Sequence, residues 1–435
     1  MKLLFSYLRR YRGLVGLTLL LAAVNQTFSL LDPYFIGRII DQYALRFREY
    51  STLAFVQGVG LLLLGLVGVA FVSRVAKNFQ DYFTNVITQR VGAEIYSDGV
   101  RHSLELPYAV FEDQRSGETL GKLQKTRTDV ERLINVAINV LFLSVIGLIF
   151  VIIYASSAHW SIAVVYFSAV PILIVLSSLL SRKIKKIQKR IVAETTSLAG
   201  ATTESLRNIE LVKSLGLARQ EIGRLNGVTA RILELELEKV RYVRSLSFIQ
   251  GTAVNALRTS IIFLMMYLIY SQRISVGQFL SLFIYSFFIF GPLQEIGNVI
   301  NVYREAEVAL ENFHDILRMP KEPKPDNPIV PKALDRIDFD NVVFRHQTGT
   351  SNALDGISFT ASVGETVAFV GPSGSGKTTL VKLLVGLYRP HSGGILYDGV
   401  SINDIDLEVL RERIGMVSQD TQLFSGTIRE NLRFV

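Results

Sequence analysis

Near the end of the chain, Gly371 to Thr379 read GPSGSGKTT, and these residue types at this spacing suit the holding of a chain of phosphates. Gly371, Gly374 and Gly376 let the backbone wrap close to an anion. Lys377 brings a long flexible cation to the outer phosphates, and the Thr378 hydroxyl suits a Mg²⁺ ion bound with them. Ser373, Ser375 and Thr379 complete the same loop. The spacing works only where a helix starts, because its first backbone amides have no partners within the helix and aim their dipole at the anion. TVAFV at 366–370 reads as a strand entering the loop, and TTLVKLLVGLY at 378–388 as a helix with aliphatic residues at helical spacing. The chemistry implied is the binding of a nucleotide's phosphates together with Mg²⁺. Two other residues are weak when taken alone. Gln419, in IGMVSQD, follows a strand-like run, where an isolated glutamine is ordinarily a surface residue. His346 likewise reads as a loop histidine.

The elements that must position this loop are of two kinds. Of 435 residues, 49% are hydrophobic and only 19% charged, a balance that belongs to a membrane protein rather than a soluble enzyme. Apolar stretches long enough to cross a bilayer occur six times, at about 13–36, 53–76, 136–156, 160–181, 248–271 and 277–300. MKLLFSYLRRYR, ahead of the first, reads as a basic amphipathic helix lying on the membrane surface. The net charge of +8 sits between the apolar stretches, mostly in about 77–132 and 182–247. Its placement orients a membrane protein with these segments in the cytoplasm, and no nucleic-acid recognition module accompanies it. The absence of cysteine excludes disulfides, thiolate metal sites and thiol nucleophiles.

Pro320, Pro323, Pro325, Pro328 and Pro331 mark an interdomain linker. After it the composition changes to that of an α/β domain. RIDFDNVVFRH and GETVAFVG read as strands, and ILYDGVSI as a hairpin turning at Asp398-Gly399. The expected organisation is a transmembrane domain at 1–319, a linker at 320–336 and a nucleotide-binding region at 337–435. Within the spans, Asn255, Arg258, Gln294, Glu295 and Asn298 stand out. Burying an arginine at membrane depth costs about 2.5–3.5 kcal/mol on insertion scales, so such residues tend to face a cavity. The alternative is that Arg258 and Glu295 pair with each other near the cytoplasmic boundary.

At this point the chain resembles the ABC exporters, in the form of a half-transporter whose membrane domain precedes its nucleotide-binding domain. The resemblance runs through ISFTASVGETVAFVGPSGSGKTTLVKLLVGLYRPHSGGILYDG and LRERIGMVSQDTQLFSGTIRENL, and in the membrane half through LPYAVFEDQRSGETLGKLQKTRTDVERL, TTESLRNIELVKSLGLARQEIGRL and GPLQEIGNVINVYREAEVALENFHDIL. It implies a membrane all-α six-helix domain with long cytoplasmic helical arms, followed by an incomplete α/β P-loop nucleotide-binding domain. It also implies short transverse helices near Tyr108–Gln114 and Thr203–Ile209 that dock on nucleotide domains. Gln419 becomes the glutamine that senses Mg²⁺ and the γ-phosphate. His346 takes the place of the aromatic ring that stacks on adenine, with less area than the usual tyrosine.

The same resemblance places the family's signature sequence, Mg²⁺-positioning Asp, catalytic Glu and switch His beyond Val435. The chain therefore reads as a fragment that binds ATP and turns it over slowly, with no catalytic residue of its own. The function implied is ATP-driven export of a hydrophobic or amphipathic substrate by a homodimer or heterodimer of half-transporters in a bacterial plasma membrane. The alternatives are a non-catalytic nucleotide-binding partner subunit and an importer of the same fold.

Overall fold

The computed structural model describes the backbone at all positions except 114–115, 332–333, 347–348, 418–423 and 434–435, and side chains at these and at 112–113, 116–118, 169, 173–174, 176–182, 196, 292–294 and 296–297 are not described. Two compact units emerge, one made of residues 1–94 and 127–310, the other of 95–126 and 311–435.

The first unit is helical throughout. After α1 (Lys2–Arg10) come α2 (Arg12–Ser29) and α3 (Asp32–Ile39), then α4 (Thr52–Leu104), which runs on into the second unit. At about 1.5 Å per residue, the 53 residues of α4 extend roughly 80 Å, far more than a hydrocarbon core of about 30 Å can cover. The composition divides in the same way. Leu53, Leu61, Leu64, Val67 and Phe71 are exposed as a lipid-facing surface, and from Lys77 onward the helix becomes charged. The short helix α5 (Tyr108–Asp113) and the 21-residue α6 (Ser116–Val136) lead to α7 (Leu143–Ala158) and α8 (Trp160–Arg207), with His159 between these last two capping α8 by accepting from Ser161 N. A short helix α9 (Ile209–Ser214) precedes α10 (Ala218–Tyr270) and α11 (Val276–Arg318). The six predicted apolar stretches lie almost wholly in helix, the first interrupted at Leu30–Leu31. By length and composition, four helical segments among the described residues are able to cross a membrane, and α8 and α11 carry the shorter apolar segments Trp160–Ile172 and Val276–Gly291.

One of the predicted spans is not continuous. The stretch at 13–36 breaks at Leu30–Leu31, because Pro33 in the first turn of α3 cannot continue α2. In a bilayer the backbone carbonyls loosened by such a break need partners. α11 provides them: Tyr285 Oη donates to Leu30 O at 2.6 Å, and Ser281 Oγ to Pro33 O at 2.7 Å. The same pair of helices approaches most closely at Gly37 and Gly277, where Asp41 accepts from Gly277 N at 2.7 Å and from Ser275 Oγ. Around this seam Leu30, Val151, Ile162, Tyr166, Ile261, Leu282, Tyr285 and Phe290 form the core of the unit.

The second unit holds a four-stranded antiparallel sheet ordered β2-β1-β3-β4, from β1 (Arg336–Phe344), β2 (Leu354–Ser362), β3 (Ser392–Tyr397) and β4 (Val400–Ser401). β3 and β4 form the expected hairpin, with Asp398 and Gly399 both at positive φ in its turn. Phe339, Phe344, Leu354, Ile395 and Tyr397 from the sheet pack with Leu380 and Leu383 of α12 (Lys377–Leu384) and with Leu407 and Leu410 of α13 (Leu407–Glu412). A short helix α14 (Ile428–Arg433) follows.

GETVAFVG departs from expectation. Residues 366–370 form no regular element and belong to no ladder among the described residues, and Val370 is 94% exposed. An apolar run of this kind is stable as a strand only between two neighbours, and the sheet formed here places none beside it. The Pro-rich segment is also more than a loose tether. Glu322 N donates to Glu105 O at 2.8 Å, Arg411 clamps the Glu322 carboxylate at 2.8 and 3.1 Å, and Arg389 donates to Pro323 O at 2.8 Å.

The Gly37–Gly277 approach supplies a direct test. A Cβ on Gly37 would lie 2.7 Å from Gly277 O, and one on Gly277 would overlap Gly37 O. Gly277→Ala is expected to cost about 1–3 kcal/mol through overpacking, measured as a lowered Tm of the purified protein in detergent, whereas Gly60→Ala, with open space around it, leaves Tm unchanged.

Candidate functional site

The loop at 371–376 feeds directly into α12, so the first amides of that helix lie at its mouth. Gly376 is the N-cap residue, with φ +89, a conformation that other residues adopt only under strain. A Cβ there would also lie 2.5 Å from Ala353 O and 2.7 Å from Leu354 Cδ2. The loop is thus a cradle shaped by the absence of a side chain, as close approach to phosphates requires. Gly374 also has positive φ.

The predicted residues occupy distinct places in this cradle. Lys377 Nζ folds across the loop, donating to Gly371 O at 2.9 Å, Pro372 O at 2.8 Å and Ser375 Oγ at 3.4 Å. Ser373 and Thr378 are exposed. Thr379 is buried and its hydroxyl lies 3.2 Å from His346 Nε2, so it secures the histidine against the helix. His346 sits edge-on to Phe344 and Tyr388, with centroids 5.0 and 5.4 Å away, while Phe344 and Tyr388 stack at 4.7 Å. Gln419 lies outside the described residues. Loop, helix start and imidazole lie together, and the glycine cradle, with the Lys377 ammonium held across it by loop oxygens, suits a chain of phosphates.

Tyr388 has a second neighbour, which the sequence did not reveal. Its ring meets Tyr108 of α5 at 5.6 Å, and Lys382 of α12 lies against both rings, 4.9 Å from the Tyr108 centroid and 5.4 Å from that of Tyr388. Lys382 Nζ also reaches Tyr388 Oη at 3.4 Å. Partial burial favours the neutral amine, but the phenol oxygens of Tyr108 and Tyr388 outweigh it and raise the Lys382 pKa above the ordinary lysine range. The aromatic chain His346–Tyr388–Tyr108 therefore connects the cradle to α5. The one available signal was the lysine itself, a charge set among the aliphatic residues of α12.

The other transverse helix lies slightly later than expected. Residues 203–207 complete α8, the chain bends at Asn208, and the short helix is α9. In the membrane segments, Asn255, Glu295 and Asn298 are exposed, and the Gln294 side chain lies outside the described residues. Arg258 is not paired with Glu295 among the described residues. Its guanidinium instead faces Phe287 and Phe290, at 4.1 and 5.9 Å.

Comparison with known proteins agrees with this arrangement. The family model for the ABC transporter transmembrane region matches residues 15–293, and the ABC transporter model matches 354–433. YfiC of Bacillus subtilis, an uncharacterized ABC transporter ATP-binding protein, is 28% identical over 446 residues, covering 99% of this chain and 70% of its own. ComA of Streptococcus pneumoniae, a transport/processing ATP-binding protein, is 26% identical, covering 97% of this chain and 58% of its own. The mouse oligopeptide transporter ABCB9 is 24% identical, with 96% and 54% covered. The chain thus spans between about half and seven-tenths of the length of these relatives. In fold, it matches a bacterial Atm1-family ABC exporter solved with ATP bound, with a TM-score of 0.79 over 98% of this chain and 74% of that one, at 22% identity.

Gly376→Ala tests the cradle. The strained φ and the clash with Ala353 O are expected to weaken binding of a fluorescent ATP analogue by about 5- to 150-fold, from roughly 1–3 kcal/mol of backbone strain, with helicity by circular dichroism unchanged. A raised lysine pKa stabilises the fold below the ordinary lysine range and is lost only as pH rises through the raised value. The contribution of the Tyr108–Lys382–Tyr388 contact should therefore be constant from about pH 6 to 9, read as an unchanging Tm difference between the wild type and Lys382→Met over that window.

Proposed function

This chain belongs to the ABC transporter family, and on that premise we propose that it is one half of an ATP-driven exporter of a hydrophobic or amphipathic substrate. The observation that carries the reading is the joining of the phosphate cradle to a helical arm. α12 begins at the cradle and meets α5 through Lys382 and Tyr388, and α5 follows α4, whose other half is apolar enough to cross a membrane.

The residues have separate tasks. Gly371, Ser373, Gly374, Ser375 and Gly376 present backbone amides to the phosphates. Lys377 leaves the loop carbonyls for the outer phosphates, Thr378 and Gln419 hold Mg²⁺, and His346, held by Thr379, stacks on the base. Mg²⁺ neutralises charge on the phosphates when bound. Two such chains, or this one and a related half-transporter, close their nucleotide-binding regions on ATP, and the arms carry that closure to the membrane helices. The differential stability of two arrangements then exposes a shared cavity to one side or the other, with Asn255, Arg258, Gln294, Glu295 and Asn298 lining it.

The transmembrane domain covers 1–319, the linker 320–336 and the nucleotide-binding region 337–435. The protein lies in a bacterial plasma membrane with its N-terminus and nucleotide-binding region in the cytoplasm, an orientation supported by the basic segments between the spans.

Lys377→Ala tests the reading. Loss of a charge-assisted contact to phosphate is expected to weaken ATP-analogue binding at least about tenfold and to abolish ATP-dependent accumulation of an amphipathic dye in inside-out vesicles made with the full-length protein. Dye accumulation at the wild-type rate in Lys377→Ala vesicles would contradict it.

A further inference from the structure

Arg258 stands where a charge is hardest to keep. It lies on α10 about twelve residues before Tyr270, the last residue of that helix, and so roughly 18 Å from its end, within a hydrocarbon core of about 30 Å. Its spacing puts it on the stripe of Val254, Ile261, Met265 and Leu268, all buried. The side chain therefore belongs to the packed face of α10 rather than the lipid face. There it meets α11, with the guanidinium 4.1 Å from the Phe287 ring centroid and 5.9 Å from that of Phe290. Its Nε is buried and hydrogen-bonds to nothing, and among the described residues no carboxylate pairs with it. Two other polar groups at membrane depth, the hydroxyls of Tyr166 and Tyr285, are each committed to a backbone carbonyl. Among the described residues, Arg258 has aromatic faces against its guanidinium and no hydrogen-bond partner at Nε.

A ring face stabilises a guanidinium without using its N–H groups, which lie in the guanidinium plane. Those donors form a fork that matches the paired oxygens of a carboxylate or phosphate. Phe287 is itself half exposed, at 49%, and offers apolar surface beside the fork. Asn255, nearly one turn earlier, is exposed with a further amide. We propose that Arg258, backed by Phe287, is the recognition point for the acidic head, carboxylate or phosphate, of an amphipathic anion whose apolar chain lies along α10 and α11. This rests on the exporter reading and narrows its substrate to anions.

The test uses the full-length protein in phosphatidylcholine nanodiscs, with dansyl-labelled undecanoate as the fluorescent probe and empty nanodiscs subtracted. Dodecanoate, dodecyl phosphate and methyl dodecanoate compete for the site. The wild type is expected to bind both acids at least about tenfold more tightly than the ester, as suits hydrogen bonds to a charged group. Arg258→Gln should remove that preference, while Arg258→Lys, which keeps the charge but not the fork, should retain a smaller one. A difference between the two acids shows which head the site takes. Equal binding of acids and ester by the wild type overturns the proposal, as it would if a carboxylate of a second half-transporter already occupied the fork. An acid preference that survives in Arg258→Gln also overturns it. The exporter reading is separated by inside-out vesicles. ATP-driven uptake of ester and acids alike retains the exporter and removes the anion preference, whereas tight acid binding with no ATP-driven movement of any probe retains the site and removes the exporter.

Discussion

The account depends on one contact, the placing of the Lys382 ammonium against the rings of Tyr108 and Tyr388. Lys382 lies on the helix whose first turn forms the phosphate cradle, and Tyr108 lies on the short helix following the long arm α4. A flexible surface ion pair in the same place would be weak and screened by salt. A partly buried cation between two aromatic rings is less exposed to screening, and it fixes α5 to the element that phosphate would engage. Tyr388 also faces His346, so one ring touches both the histidine beside the cradle and the Tyr108 ring of α5.

The membrane unit is governed by a different constraint. Lipid offers no hydrogen bonds, so each backbone group freed by an irregularity needs a partner in the protein. The break near Leu30 is tolerated because Tyr285 and Ser281 reach its carbonyls. Between α2, α4 and the turn before α7, Asn25, Gln80 and Asn139 form a chain in which Asn25 Nδ2 donates to Gln80 Oε1 at 3.3 Å and Gln80 Nε2 to Asn139 Oδ1 at 2.8 Å, with Ser73 Oγ donating to Asn25 Oδ1 at 2.9 Å. Against these satisfied groups, Arg258 Nε, like Asp32 Oδ1 at the start of α3, is a buried polar atom with no hydrogen-bond partner among the described residues.

Much of this was legible in the sequence, for reasons that differ by element. The cradle was readable because GPSGSGKTT fixes its own geometry locally, and the Asp398-Gly399 turn because only a few residue pairs adopt positive φ together. The helices were readable because apolar length is a property of composition. The break at Pro33 was not, since a proline near the edge of an apolar stretch is compatible with a kinked continuous span. Nor was the register of the second transverse helix, set by the bend at Asn208 rather than by any periodic signal. TVAFV has the composition of a strand, but strand formation depends on neighbours that composition does not specify. The Tyr108–Lys382–Tyr388 contact joins residues more than 270 positions apart, beyond the reach of a local pattern. His346 was placed by resemblance, while its partnership with Thr379 became visible only in the structure. The pairing of Arg258 with Phe287 rather than Glu295 was likewise a matter of tertiary packing.

The central claim is that ATP held at the cradle moves the membrane helices through α5. With no cysteine among these 435 residues, spin labels can be placed by introducing cysteines at Ser51 and Ser271, both exposed beside the ends of α4 and α10, and the distance between them measured by pulsed electron resonance in nanodiscs with and without ATP. The account predicts that ATP shifts this distance in the otherwise unaltered full-length protein, and that Tyr108→Ala, while still binding ATP, loses the shift. A distance that does not respond to ATP, or a shift that persists in Tyr108→Ala, would contradict it.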